Sequence, residues 1–275
     1  MKAYTYSIHN GIRIYENKAV NRPGRVPIVL VHGMWGFALI FRIWFALGEA
    51  LGYKVYSVQL RGHTPELACA DLSNQSVKTY IRDVDKIIRT EIGDCVLVGW
   101  SMGGLICQDV AAQNSNVQKL VLVTSASPAG ILLRGKVLIK LMKPRYLWAM
   151  LTGNSFRITK NDAAELMFNA GFDQKTRDEF ISELNPESGR AAREMATHQI
   201  GVNKIPCPVL VIGAEMDAIT PVSLQRAIAK KYKAQYVQIT GASHAIMLQP
   251  GVRDEAFRTI IEWAYGNQAR LAKAA

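Results

Sequence analysis

The sequence predicts an α/β protein, with a mostly parallel central sheet, helices on both faces and an inserted helical segment. Three observations carry this. Continuous apolar runs recur at Ile28-Val29-Leu30-Val31, Cys95-Val96-Leu97-Val98, Leu120-Val121-Leu122-Val123 and Val209-Leu210-Val211-Ile212, as expected of strands buried on both faces. Stretches of helical periodicity separate them, the alternation that builds parallel sheets through crossover helices. From Ser125 to Lys204 the alternation stops. That stretch has no strand-like run and is punctuated by Pro128, Pro144, Gly153, Gly171 and Pro186. It is too long for a loop in a compact domain.

Taken in order, residues 3–8 and 12–16 flank Asn10-Gly11, the favoured two-residue turn of a β-hairpin. A loop rich in Pro, Gly and Arg leads to the strand at 28–31, which ends in His32-Gly33-Met34-Trp35-Gly36. A helix is expected over 40–51, stopped by Gly52. A strand from Val55 to Leu60 then precedes Arg61-Gly62-His63. Residues 76–91 read as an amphipathic helix with Val77, Tyr80, Ile81, Val84, Ile87 and Ile88 on one face. After the run at 209–212 come a helix over 222–232, a strand near 236–239 and a closing helix over 253–265. The expected division is a core of residues 1–124 and 205–275 and a helical cap of 125–204.

Composition narrows the function classes. The 275 residues are 49% hydrophobic, enough for a substantial core. No apolar run reaches the roughly 18–20 residues that cross a bilayer, and the N-terminal stretch lacks the apolar block of a secretory signal. A cytoplasmic protein is expected. Cys69, Cys95, Cys107 and Cys207 show no metal-ligand spacing and read as reduced thiols. No metal site and no cofactor is expected. The net charge of +11 invites an anionic partner. With no zinc-finger spacing, no aromatic ribonucleoprotein stretch and no compact basic block, nucleic acid is set aside. Acidic substrates and weak association with an anionic membrane or lipid surface remain.

The chemistry is concentrated at Gly99-Trp100-Ser101-Met102-Gly103, between an apolar run and a helical pattern. Gly-x-Ser-x-Gly in that setting is a strand-to-helix turn that lifts a serine above the sheet, with glycines where a Cβ would obstruct the turn. The amide of Met102, at the helix N-terminus, points toward whatever the serine attacks. Two later loops match it. Asp217 lies in the turn after the strand at 209–212, and His244 follows the last strand in Gly241-Ala242-Ser243-His244.

Ser101, Asp217 and His244 stand in the chain order of the α/β-hydrolase triad. From about residue 3 to 265 the chain resembles a capped α/β-hydrolase, in the style of small carboxylesterases, lipases and cofactor-free haloperoxidase-like relatives. The resemblance implies that Ser101 attacks a small-molecule ester, His244 moves the proton and Asp217 orients the imidazole. Glu215 lies two residues from the matched position, and the turn 124–128 holds no carboxylate. His32-Gly33-Met34 resembles the family's oxyanion loop, which implies Met34 and Met102 as backbone donors. His32 and the Arg61-Gly62-His63 stretch read as structural.

Trp35 and Trp100 read equally as core or pocket wall. Leu132, Leu138 and Trp148, within a segment rich in apolar and basic residues, are candidates for an acyl pocket. Serine at 101 argues against the family's dehalogenases and epoxide hydrolases, which carry aspartate there. Carbon–carbon bond hydrolases, amidases, perhydrolases and a non-catalytic ligand-binding member remain alternatives to an esterase.

Overall fold

The computed structural model describes residues 4–22, 24–64, 72–132, 142–197 and 199–266. Among these residues eight strands form one sheet: β1 (Tyr4–His9), β2 (Ile12–Asn17), β3 (Ile28–Val31), β4 (Val55–Val58), β5 (Cys95–Trp100), β6 (Val117–Val123), β7 (Val209–Ala214) and β8 (Gln235–Ile239). Their spatial order is β1-β2-β4-β3-β5-β6-β7-β8. Only β2 runs against the rest. Asn10 (φ 51°) and Gly11 (φ 76°) both take the left-handed region that a tight hairpin turn requires.

The apolar runs work as the sequence implies. Ile28 and Leu30 of β3 pack into the core on one face, while Val29 and Val31 pack on the other; Val96 and Leu97 of β5 divide in the same way. Helices α1 (Arg42–Ala50) and α9 (Arg253–Tyr265) cover the first face. Helices α2 (Val77–Ile87), α3 (Met102–Gln113) and α8 (Val222–Tyr232) cover the second. Ser76 caps α2 by accepting the Thr79 amide at 3.1 Å.

Boundaries differ modestly from expectation. Helix α1 is preceded by a 3₁₀ turn, Ala38–Phe41, and α2 continues as one π turn, Ile88–Ile92. Strand β6 begins at Val117, which pairs with Cys95, and Lys119 pairs with Val96 across a register shift that leaves Gln118 out of the ladder. Between β6 and β7 the described residues form α4 (Pro144–Thr152), α5 (Lys160–Met167), α6 (Gln174–Glu183) and α7 (Gly189–Ala196). Among the described residues no helix is long and apolar enough to cross a membrane.

This topology positions the site. After β4 the chain steps back across β3 to build β5, so the sheet order reverses between β3 and β5. In open α/β sheets such a reversal opens a crevice at the carboxyl ends of the strands. The loop after β3 and the turn after β5 meet there.

Candidate active site

Ser101 joins β5 to α3 with φ 55° and ψ −121°, a conformation that L-residues rarely adopt and that the surroundings must enforce. The glycines permit it. A Cβ on Gly99 would stand 2.6 Å from Gly103 C, and one on Gly103 would stand 2.6 Å from His32 O. Gly33 brings the β3 loop equally close, since its Cβ would lie 2.8 Å from Ser101 Cβ. The amide of Ser101 donates to Val123 O at 3.1 Å, and its carbonyl accepts from Ala126 at 2.9 Å. The backbone of the turn is therefore tied to β6.

Asp217 and His244 meet as a buried pair, with Nδ1 of His244 donating to Asp217 Oδ2 at 2.8 Å. The carboxylate also accepts from the amides of Ile219 (2.7 Å) and Thr220 (2.8 Å), and its Oδ2 lies 2.7 Å from Thr220 Oγ1. Glu215 turns elsewhere and accepts the Gly241 amide at 2.8 Å. Among the described residues, Nε2 of His244 has no hydrogen-bond partner, and neither has the Ser101 hydroxyl. Both residues line one cavity.

The loop after β3 is braced by His32. Its Nε2 accepts the Leu60 amide at 3.1 Å, so its proton sits on Nδ1 and is donated to Gly33 O at 2.9 Å. Burial, then the charge of neighbouring His63, hold its pKa well below the ordinary value, against the pull of the Gly33 carbonyl. Neutral His32 is thus a strut. His63 is its opposite. Burial disfavours its charge, yet the Glu187 carboxylate and the Arg61 and Leu60 carbonyls overcome that and raise its pKa. Its Nε2 donates to Glu187 Oε2 at 2.9 Å.

The cavity has a volume of about 320 Å³. Its floor holds Met34, Trp35, Ser101 and His244, and no Asp, Glu, Lys or Arg among the described residues lines it. Five methionines do: Met34, Met142, Met150, Met167 and Met195. Their unbranched, polarisable side chains make an adaptable apolar wall. Met142, Tyr146 and Met150, four residues apart, face it, the latter two from α4 and Met142 from two residues before that helix's start. Tyr146 donates to Asp162 Oδ2 at 2.6 Å. Partial burial would raise the Asp162 pKa, but hydrogen bonds from Lys143, Tyr146 and Thr159 bring it down to about 2.

The expected pocket residues divide. Trp35 lines the cavity. Trp100 does not: it lies buried behind the site, its indole Nε1 donating to His244 O at 2.9 Å and its ring 5.3 Å from the imidazole. Trp148 is 66% exposed and Leu132 63% exposed, and neither lines the cavity. Helix α4 turns Trp148 outward because Tyr146 and Met150 occupy its inner face. Leu138 and Cys69 lie outside the described residues. Met102 is buried directly after Ser101, at the first position of α3, where helical amides lack intrahelical partners. The spacing of Met142, Tyr146 and Met150 was the signal that could have identified the wall.

The comparisons with known proteins agree with this architecture. The sequence profile of the "Alpha/beta hydrolase family" matches residues 28–253. A pyrethroid hydrolase of Sphingobium wenxiniae is 25% identical over 240 residues, covering 79% of this chain and 81% of that protein. An sn-1-specific diacylglycerol lipase of Xenopus laevis is 33% identical over 108 residues, 38% of this chain. The chain spans only 33% of that lipase's length. A pimeloyl-[acyl-carrier protein] methyl ester esterase of Aliivibrio fischeri is 34% identical over 104 residues, 36% of either protein. Among solved structures, an N-acyl homoserine lactonase superposes with TM-score 0.70 at 17% identity, covering 96% of this chain and 98% of the other. A monoglyceride lipase of Saccharomyces cerevisiae superposes with TM-score 0.67 at 16% identity, covering 95% and 94%. Identities this low carry the fold alone. With the profile spanning most of its length, the chain belongs to the alpha/beta hydrolase family.

Proposed function

We propose that this chain hydrolyses carboxylic esters of apolar acyl groups through an acyl-enzyme on Ser101. One observation carries the reading: His244 of the buried Asp217–His244 pair lines a cavity, without a charged residue among its described lining, together with a serine on a strained strand-to-helix turn. Ser101 Oγ attacks the ester carbonyl while Nε2 of His244 takes its proton. The carbonyl electron pair moves to oxygen, where the Met34 and Met102 amides receive it. The tetrahedral species collapses, and His244 returns the proton to the departing alkoxide. Water then repeats the sequence on the acyl-serine, releasing the acid. Each oxyanion donor is worth about 2.7–4 kcal/mol.

The helices between β6 and β7 act as a cap in this reading, with α4 and α7 supplying the acyl wall. The uncharged lining favours neutral substrates, so the basic residues serve the outer surface. There Trp148 and Leu151 are exposed beside Arg145 and Arg193, a composition suited to weak contact with anionic lipid.

The deciding experiment combines p-nitrophenyl esters of increasing chain length with a fluorophosphonate probe. The specificity constant should climb with chain length, by at most about 0.8 kcal/mol per methylene, until the cavity is full. Ser101→Ala should lose both labelling and turnover, the latter by about 10⁶-fold. Labelling that survives in Ser101→Ala removes the assignment. Hydrolysis at anionic vesicles should fall with added salt while hydrolysis of a dissolved neutral ester stays level; equal responses remove the surface claim.

A further inference from the structure

The loop that carries Met34 does not hold its own shape. Trp35 sits at φ 58°, a region that a bulky residue occupies only when neighbours impose it. Inside the loop, both the Gly36 amide (3.1 Å) and His32 Nδ1 (2.9 Å) donate to Gly33 O. His32 and the Ala38 amide brace its two ends against Leu60 and Gln59, while the bonds to Trp35 and Gly36 come from a chain segment about 150 residues away, between α6 and α7. The Asn185 amide donates to Trp35 O at 2.8 Å. Its side-chain Nδ2 donates to Gly36 O at 3.2 Å and to His63 O at 3.0 Å. One buried asparagine thus ties two successive carbonyls of the oxyanion loop to the loop that follows β4.

The segment bearing Asn185 is itself fastened. Glu187 pairs through its backbone with Phe156, at 2.8 and 2.9 Å. Its carboxylate, wholly buried, accepts from His63 Nε2 (2.9 Å), the Tyr80 hydroxyl (3.0 Å) and the Ser188 amide (2.7 Å). Every contact that fixes Asn185 is with the backbone of the two loops or with this clamp. Among the described residues Asn185 itself does not line the cavity; it reaches Trp35 only through that residue's backbone carbonyl.

We infer that Asn185 is a positioning residue for the oxyanion loop, holding Trp35 and Gly36, and through them the Met34 amide, so that seating of the 184–188 segment and transition-state stabilisation are coupled. The inference rests on the proposed acyl-transfer reading. An oxyanion donor matters only when charge reaches the carbonyl oxygen. Loosening Asn185 therefore reduces turnover and leaves ground-state binding of the apolar acyl group unchanged.

The test uses Asn185→Ala and two ligands with the same alkyl chain, a trifluoromethyl ketone and its secondary alcohol. The ketone takes Ser101 Oγ at its carbonyl carbon, with the serine proton passing to His244 and negative charge left on the ketone oxygen. The alcohol binds without reacting. In Asn185→Ala, kcat should fall roughly ten- to hundredfold, less than the 10²–10³ of losing a donor outright. KM should stay within about twofold, as expected for an interaction made only in the transition state. The ketone's inhibition constant should rise in step with the loss in kcat, while the alcohol's does not move. If the alanine chain does not fold, Asn185→Ser carries the same comparison with a smaller ratio, because its hydroxyl reaches one carbonyl at most. A ketone-to-alcohol ratio equal to that of the unmodified protein overturns the inference alone. An unmodified protein that neither hydrolyses the ester nor binds the ketone overturns the acyl-transfer reading, and this inference with it.

Discussion

Among the described residues are two buried carboxylate–histidine pairs, Asp217–His244 and Glu187–His63, joined at 2.8 and 2.9 Å. In both, the carboxylate is saturated by further donors: Ile219, Thr220 and its hydroxyl in one, Tyr80 and Ser188 in the other. The difference lies in the second ring nitrogen. In His63 it points at the Arg61 carbonyl, 3.1 Å away, so both nitrogens face acceptors, which favour the charged ring and raise its pKa. In His244 it has no partner among the described residues and the ring borders the cavity with Ser101. One pair is spent on holding two chain segments together. The other keeps one nitrogen available for proton transfer, which is what general-base chemistry requires.

The contrast can be broken by changing each carboxylate to its amide. Asp217→Asn should produce the largest effect, a fall in kcat of up to about 10⁴-fold from stabilising the wrong imidazole tautomer, with little change in urea midpoint. A loss under tenfold would mean that another group orients His244. Glu187→Gln should do the reverse. Removing one partner of a buried ion pair costs about 3–5 kcal/mol of stability, while turnover falls by tenfold or less. Equal losses of activity in the two variants would erase the distinction.

Thr220→Val probes the Asp217–His244 pair more gently. It deletes the hydroxyl next to Asp217 Oδ2 and keeps the two amides. Losing one hydrogen bond to a charged group, about 1.5–3 kcal/mol, should lower kcat roughly tenfold and leave KM near its original value. An unchanged kcat would show that the backbone amides alone hold the carboxylate.

The smallest effect is a slope with pH. The His63 pKa is raised in the folded chain, so its pairing contributes stability that is fully present below the ordinary histidine pKa near 6.5 and is lost as pH rises through the raised value. Urea midpoints should decline over that window in the unmodified protein and flatten in Glu187→Gln. A midpoint that climbs through the window would contradict the protonated pair.

Much of the frame was legible from local pattern. A buried strand between two covered faces must be apolar at every position, so β3, β5, β6 and β7 announced themselves. Gly99, Gly103 and Gly33 mark the places where backbone approaches too closely for a Cβ. Loops at strand ends then ordered Ser101, Asp217 and His244 along the chain. All of these signals depend on a few neighbouring residues.

What only the tertiary structure decided is which way apolar side chains face and which distant segments meet. Helix α4 is apolar nearly all round, so Trp148 and Met150 look alike in sequence. What it packs against sends Met150 into the cavity and leaves Trp148 in solvent. Trp100, beside Ser101 in sequence, turns behind it because successive side chains along a strand leave opposite faces. Asn185 and Glu187 carried no motif at all. Their partners are loop carbonyls and a histidine more than 100 positions away, and a hydrogen bond to backbone can be made by any residue that the fold delivers there.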